Sequence, residues 1–151
     1  MTQTVQQISR DLLASEARNL HAIQKNAKAM MLRVIDRLEH YPDAKSRLQA
    51  HLTDKDNEMA RLEQVLAELG EDASGAKDAV MSMMGEMTGV MTGGLEDDIV
   101  KTSMMTYGLA SYEIVAYEGM IALAQTAGVA NATPLLQACL DEERAMAQWL
   151  H

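Results

Sequence analysis

A chain of 151 residues, 48% hydrophobic and 23% charged, is one globular domain with enough mass to bury a core without disulfides or structural metals. A formal charge of −9 excludes a broad basic face for nucleic acid or an anionic membrane, and a lone cysteine, Cys139, excludes an intrachain disulfide framework. No run of about 18 apolar residues and no signal-peptide core occurs, so the expectation is a cytoplasmic protein with Cys139 as a small core residue.

Two prolines, no phenylalanine and abundant Ala, Leu, Met, Glu and Gln predict helices and leave little material for strands. The first helix is predicted over residues 4–40, with Ser15 as a candidate break and "YPD" as its end. Pro42 then opens a second helix, since a missing N–H is harmless in the first turn. That helix is predicted to stop at Gly70, a residue suited to the left-handed conformation after a helix end. After "GEDASG" a short helix is predicted over residues 76–91, closed by Gly93 and Gly94. The next helix opens at "LEDD", where acids suit the positive end of the macrodipole, and ends at Gly128. "NATP" opens the last helix, with Thr133 as N-cap and Pro134 at the first helical position.

Apolar residues recur at alternating intervals of four and three. The predicted inward seams run through Leu13, Ala17, Leu20, Ala27, Met31, Val34 and Leu38, then Leu48, Leu52, Met59, Leu62, Leu66 and Leu69. They continue through Ile99, Ala110, Tyr117, Met120 and Ala124, and finally Leu136, Cys139, Met146 and Leu150. Such stripes belong to helices packed nearly antiparallel. Short connections within the first and second helix pairs and a long one between the pairs describe a ferritin-like four-helix bundle with a short fifth helix in the crossover.

Each seam has a polar interruption near its middle: Gln24, Lys55, Glu113 and Glu143. Gln24 and Lys55 are 31 positions apart, Glu113 and Glu143 30 apart, so the two hairpins read as a weak repeat with polar groups at one height. Three readings follow. The groups are half-exposed at a seam edge; they bind metal, as inward carboxylates do in di-iron bundles; or they form a metal-free polar core with the Lys55 ammonium as its positive charge. The ammonium favours the last, because it pairs with Glu113 or Glu143 and repels a divalent ion. A dinuclear centre asks for about four carboxylates and two histidines, and the seams supply two carboxylates, an amide and an ammonium.

Other candidates carry plainer readings. His21 and His51 each lie one turn from a seam polar residue and could join Asp54 or Glu58 at a metal, but the default is a surface or capping histidine. His40 is placed at a helix end. Met83, Met84 and Met87, in "MSMMGEMTGVM", offer an adaptable partner or dimer surface, with groove filling by the crossover helix as the default. Trp149 is expected at the bundle end or a dimer contact.

"NLHAIQK", "RLEQVLAELGED", "SYEIVAYEGMIALA", "TPLLQ" and "DEERAMAQWL" together resemble the YciE/YciF-like ferritin-like family, bacterial stress-associated proteins without an assigned activity. The resemblance spans residues 19–150. It implies a bundle of rubrerythrin-type ancestry that forms a homodimer or a higher assembly. It also implies glutamate where this chain has Gln24 and Ala110, and threonine where it has Lys55. Glu113 and Glu143 match the family pattern, and Asp54 keeps a shorter acidic side chain. The reading is therefore a non-catalytic, self-associating bundle protein with a degenerate metal site and no cofactor, built around Gln24, Lys55, Glu113 and Glu143. The alternatives are a di-iron or di-manganese oxidase or peroxidase-like enzyme using Glu113, Glu143, Asp54 and His21, and an interaction module using the methionine-rich crossover.

Overall fold

The structure is a computed structural model that describes residues 2–75 and 98–151. The predicted crossover helix at 76–91, with Met83, Met84 and Met87, lies outside the described residues. Within them the chain is all-α, in four helices: α1 (Thr2–Ile35), α2 (Pro42–Glu68), α3 (Asp98–Ala127) and α4 (Ala132–Leu150).

With no proline or glycine before residue 42, nothing interrupts α1, and Ser15 is an exposed residue of a continuous helix rather than a break. The helix ends at Ile35, five residues before the predicted His40. Residues 36–41 wind down in turns, with Leu38 N–H donating to the Ile35 carbonyl (3.2 Å) and Tyr41 N–H to that of Leu38 (3.1 Å). The cause lies downstream: Pro42 disfavours a helical conformation at Tyr41, which sits at φ −128° and ψ 70°. Leu38 is nevertheless fully buried and plugs that end of the bundle.

α2 and α3 end in the same way. Gly70 (φ +74°) and Gly128 (φ +71°) adopt the left-handed conformation. Glu71 N–H reaches back to the Leu66 carbonyl (2.9 Å) and Gly70 N–H to that of Ala67 (3.0 Å); Val129 and Gly128 repeat the pattern onto Ala124 (2.9 Å) and Gln125 (3.2 Å). These paired bonds satisfy carbonyls that a helix end leaves open. α4 begins two residues earlier than predicted, at Ala132. Asn131 occupies the N-cap position without a side-chain capping bond, so Thr133 is not the cap, and Pro134 falls inside the first turn.

α1 packs on α2 and α3, and α4 packs on the same two helices, which places α1 opposite α4 and α2 opposite α3. Two apolar clusters give the directions. One joins the start of α1 (Leu13, Leu20) to the ends of α2 (Leu66) and α3 (Ala124) and the start of α4 (Leu136). The other joins Val34, Ile35 and Leu38 to Leu48 and Met146 at the opposite end. Neighbouring helices are thus antiparallel. α2 ends where α1 begins, and α3 begins at the far end. The two clusters are separated by a polar layer at mid-height.

Gly119 and Gly128 make a paired test of these helix rules. Gly119 is an exposed helical residue with no atom within 4 Å of an added Cβ, whereas Gly128 needs positive φ. Gly119→Ala should raise unfolding stability by about 0.5–1 kcal/mol. Gly128→Ala should lower it by about 1 kcal/mol or more, both measured by urea denaturation.

Candidate functional site

The polar layer is built from all four helices. Gln24 comes from α1; His51, Lys55 and Glu58 from α2; Glu113 and Tyr117 from α3; Glu143 from α4. All seven side chains are buried, at 1% exposure or less. On α2 the spacing Leu48, His51, Lys55, Glu58, Leu62, Val65 is an unbroken three-four stripe, so the same face that carries leucines into the two apolar clusters carries three polar side chains between them.

Lys55 is the hub. Its Nζ donates to Glu113 Oε2 and, at 2.6 Å, to Glu143 Oε1, and it lies 3.7 Å from Glu58 Oε2. A second group of bonds leans on Glu58. Its Oε2 accepts from Gln24 Nε2 (2.5 Å) and from the Tyr117 hydroxyl (2.8 Å), while Gln24 Nε2 also reaches the Tyr117 oxygen (3.1 Å). His51 flanks the cluster, with Nε2 3.6 Å from Glu143 Oε1 and Nδ1 3.3 Å from Asp54 Oδ2.

Three carboxyl groups share one ammonium, so full ionisation would leave two uncompensated negative charges in the core. Burial resists that. Glu58 is pushed up to about 10 by burial, with the Lys55 charge opposing and Glu143 and Glu113 reinforcing the rise. Glu113 is pushed up to about 8 by burial, opposed by Lys55 and reinforced by Glu143. Glu143 goes the other way, down to about 2: burial would raise it, but Lys55, hydrogen bonds from Glu58 and Glu113, and His51 outweigh burial. Burial would lower Lys55 too, yet Glu113, Glu58 and Glu143 hold it well above the usual lysine range. His51 is held below its ordinary value by burial and then by Lys55, against Glu143 and Asp54, so it is neutral near pH 7.

Burial thus favours protons on Glu58 and Glu113, while the ammonium favours the ionised form of Glu143. Glu58 Oε1, Glu113 Oε1 and Glu143 Oε2 have no hydrogen-bond partner, and neither does Gln24 Oε1. Protons on Glu58 and Glu113, with Glu143 accepting, satisfy the carboxyl oxygens of that set.

The structure brings together the predicted Gln24, Lys55, Glu113 and Glu143, and adds Glu58, His51 and Tyr117. Glu58, expected only as a partner of the histidines, and His51, expected as a surface or capping group, are both buried in the layer. The predicted seam on α2 is corrected accordingly, since Leu52 and Met59 are only partly buried. Asp54 and His21 do not join the cluster. Asp54 bonds His51 and lies 3.8 Å from Arg47, and His21 pairs with Glu63 (2.8 Å) at the surface. Trp149 is half-exposed at one end of the bundle.

The raised carboxyls give stability a pH dependence of known sign. A carboxyl whose folded pKa exceeds its unfolded one contributes stability that is complete below the unfolded value and lost as pH rises through the folded value. Glu58 and Glu113 should therefore make stability fall as pH rises from about 5, with the Glu113 share lost by about pH 8 and the Glu58 share by about pH 10. Glu58→Gln keeps an oxygen for Gln24 and Tyr117 while removing one such proton. It should be more stable than the parent by about 1 kcal/mol or more near pH 8, and by less near pH 5, in urea titrations at both.

Comparison with solved structures agrees with this architecture. The chain is similar to a Xanthomonas campestris protein (24% identity, TM-score 0.76, 94% of this chain and 87% of that one). It is also similar to YcfI from Rhodopseudomonas palustris (23%, TM-score 0.83, 94% and 92%). The E. coli stress protein YciF matches at 20% identity, TM-score 0.79, over 94% and 91% of the two chains. At these identities the likeness establishes the fold. The family model described as a domain of unknown function, DUF892, matches residues 9–151, and the chain belongs to that family.

Proposed function

We propose that this protein is a non-catalytic, ferritin-like bundle of the stress-associated kind, in which a lysine has taken the place of a metal centre. The observation that carries this reading is Lys55 Nζ seated between Glu113 and Glu143, with Glu58 3.7 Å away. The three carboxyls have oxygens within 4.8 Å of one another, a spacing suited to a single ion. The ammonium sits among them, donating to Glu113 and Glu143, in the place an ion would take. A dinuclear centre asks for about four carboxylates and two histidines. Among the described residues the interior offers three carboxyls, one histidine, an amide and an ammonium, and they do not fit it. The enzyme alternative also loses its proposed set, because Asp54 and His21 lie outside the cluster.

In this reading the cluster sets helix register. Every helix contributes to it, and a slip of one residue on any of them would leave a buried charge or amide without its partner. Buried ion pairs add little net stability on average, so the gain is in specificity. The stress association rests on the likeness to YciF, and self-association on exposed apolar residues of α3: Val100, Met104, Tyr107, Tyr112 and Val115 recur along it. Among the described residues no helix is long and apolar enough to cross a membrane, which accords with a cytoplasmic place.

Two measurements test the lysine-for-metal reading. Protein purified without chelator should carry well below one equivalent of iron or manganese, and added Mn(II) should leave Tm unchanged. Stoichiometric metal with peroxide consumption would sink the reading. Lys55→Met should cost about 3–5 kcal/mol near pH 8, because it leaves buried carboxyls without their cation. The loss should shrink as pH falls and the carboxyls take up protons, and a loss independent of pH would count against the cluster.

A further inference from the structure

Two surplus protons in a closed core must have come from solvent, and the cluster reaches toward the surface at two points. At one, His51 links Glu143 (3.6 Å from Nε2) to Asp54 (3.3 Å from Nδ1). His51 is 1% exposed, and the Asp54 side chain is 25% exposed with Arg47 beside it. At the other, the Tyr117 ring lies beside Cys139, whose Sγ is 3.9 Å from Arg61 Nη1; Arg61 in turn reaches the surface and binds Glu142 (2.7 Å).

The two exits differ in chemistry. Neutral imidazole has one N–H and one lone pair, so it takes a proton on one nitrogen and releases one from the other. Arginine has no acceptor and stays protonated. The Cys139 thiol is pushed up to about 12, by burial first and then by Glu58, so it holds its proton at neutral pH. The arginine end is therefore closed to proton exchange and the histidine end is open.

The geometry points to His51 and Asp54 as the route by which protons enter and leave the buried carboxyl cluster. This rests on the reading that lysine and protons, rather than metal, neutralise the carboxyls. Asp54, the partly exposed carboxylate, accepts the Nδ1–H of the resting ring and leaves the Nε2 lone pair facing Glu143. For release, a proton held on Glu113 passes first to the neighbouring Glu143 carboxylate and from it to Nε2, leaving Glu113 ionised and Glu143 a carboxylate again, and the imidazolium so formed gives its Nδ1 proton to Asp54 and then to water. The ring is left neutral with its hydrogen on Nε2. Uptake is the reverse: Asp54 delivers a proton to Nδ1 and Nε2–H passes to Glu143. The charged groups that face His51 are Asp54 and Lys55 from its own helix and Glu143 from α4, with Arg47 beyond Asp54.

The test is a rapid pH jump across about pH 8, followed by infrared absorption of the protonated-carboxyl carbonyl stretch. The wild type should show that band at neutral pH and lose part of it after the jump. His51→Gln and Asp54→Asn should keep the amplitude and slow the change about tenfold or more, while Cys139→Ser should leave the rate unchanged. If His51→Gln does not fold, Asp54→Asn decides alone, since Asp54 is partly exposed and outside the cluster. Wild-type rates in the folded His51 and Asp54 variants would overturn the route alone, as would equal slowing by Cys139→Ser. Absence of the band from the wild type would overturn the route together with the reading beneath it.

Discussion

A single ammonium enclosed by three carboxyl groups sets the terms for the rest of this bundle. Lys55 cannot be solvated where it lies, so its charge must be matched by side chains from other helices, and Glu113 and Glu143 reach it from α3 and α4. Gln24 brings α1 into the same network through Glu58 and Tyr117. Apolar packing alone tolerates a range of helix registers, since one leucine can replace another at similar cost. A charge with directional partners tolerates far less, because a misplaced carboxyl in a dry core costs several kcal/mol.

The topology makes such a layer possible. Antiparallel neighbours bring the midpoints of all four helices to one height, and α2 and α3 face each other across the diagonal. Lys55–Glu113 and Tyr117–Glu58 are both diagonal contacts, between helices that share no packed edge. The apolar clusters on either side seal the layer from water. That seal strengthens the ion pair and is also what forces the surplus carboxyls to keep their protons. Stability and charge state are consequently one problem in this core.

The sequence alone displayed most of this arrangement on three helices and less on the fourth. On α1 every residue of the predicted seam from Leu13 to Leu38 is buried, because apolar residues recur without a gap on both sides of Gln24. On α3 and α4, Glu113 and Glu143 stand alone between apolar neighbours, so the stripe passes through them unmistakably. On α2 the stripe loses its hydrophobic signal where it matters: His51, Lys55 and Glu58 are consecutive inward positions, and Leu52 and Met59 beside them offer a more apolar but wrong path. Spacing held the missing information. Steps of four back and three forward from Lys55 lead to His51 and Glu58, then to Leu48 and Leu62, which are buried in the two apolar clusters. Local competition of the same kind decided the helix ends. Tyr41 yields to Pro42 and shortens α1, and Asn131 precedes Thr133 at the start of α4. The protonation states were beyond any pattern, since they follow from how many carboxyls the fold collects around one cation.

A tethered cation differs from a bound one in what it makes the protein depend on. A metal leaves when its free concentration falls, and the site then carries the repulsion of its ligands. Lys55 is present in every folded molecule, but it brings one charge to three carboxyls. The remainder must be supplied by protons, whose concentration the protein does not control. On the proposed reading, an ammonium in place of a divalent ion exchanges dependence on metal supply for dependence on pH. Glu58 deepens that dependence, because it adds an acid to the side already in excess. An amide at the same position would keep the bonds from Gln24 and Tyr117 without adding an acid. That a carboxyl stands there makes the core hold a proton it could have done without, and ties its charge balance to the acidity of its surroundings.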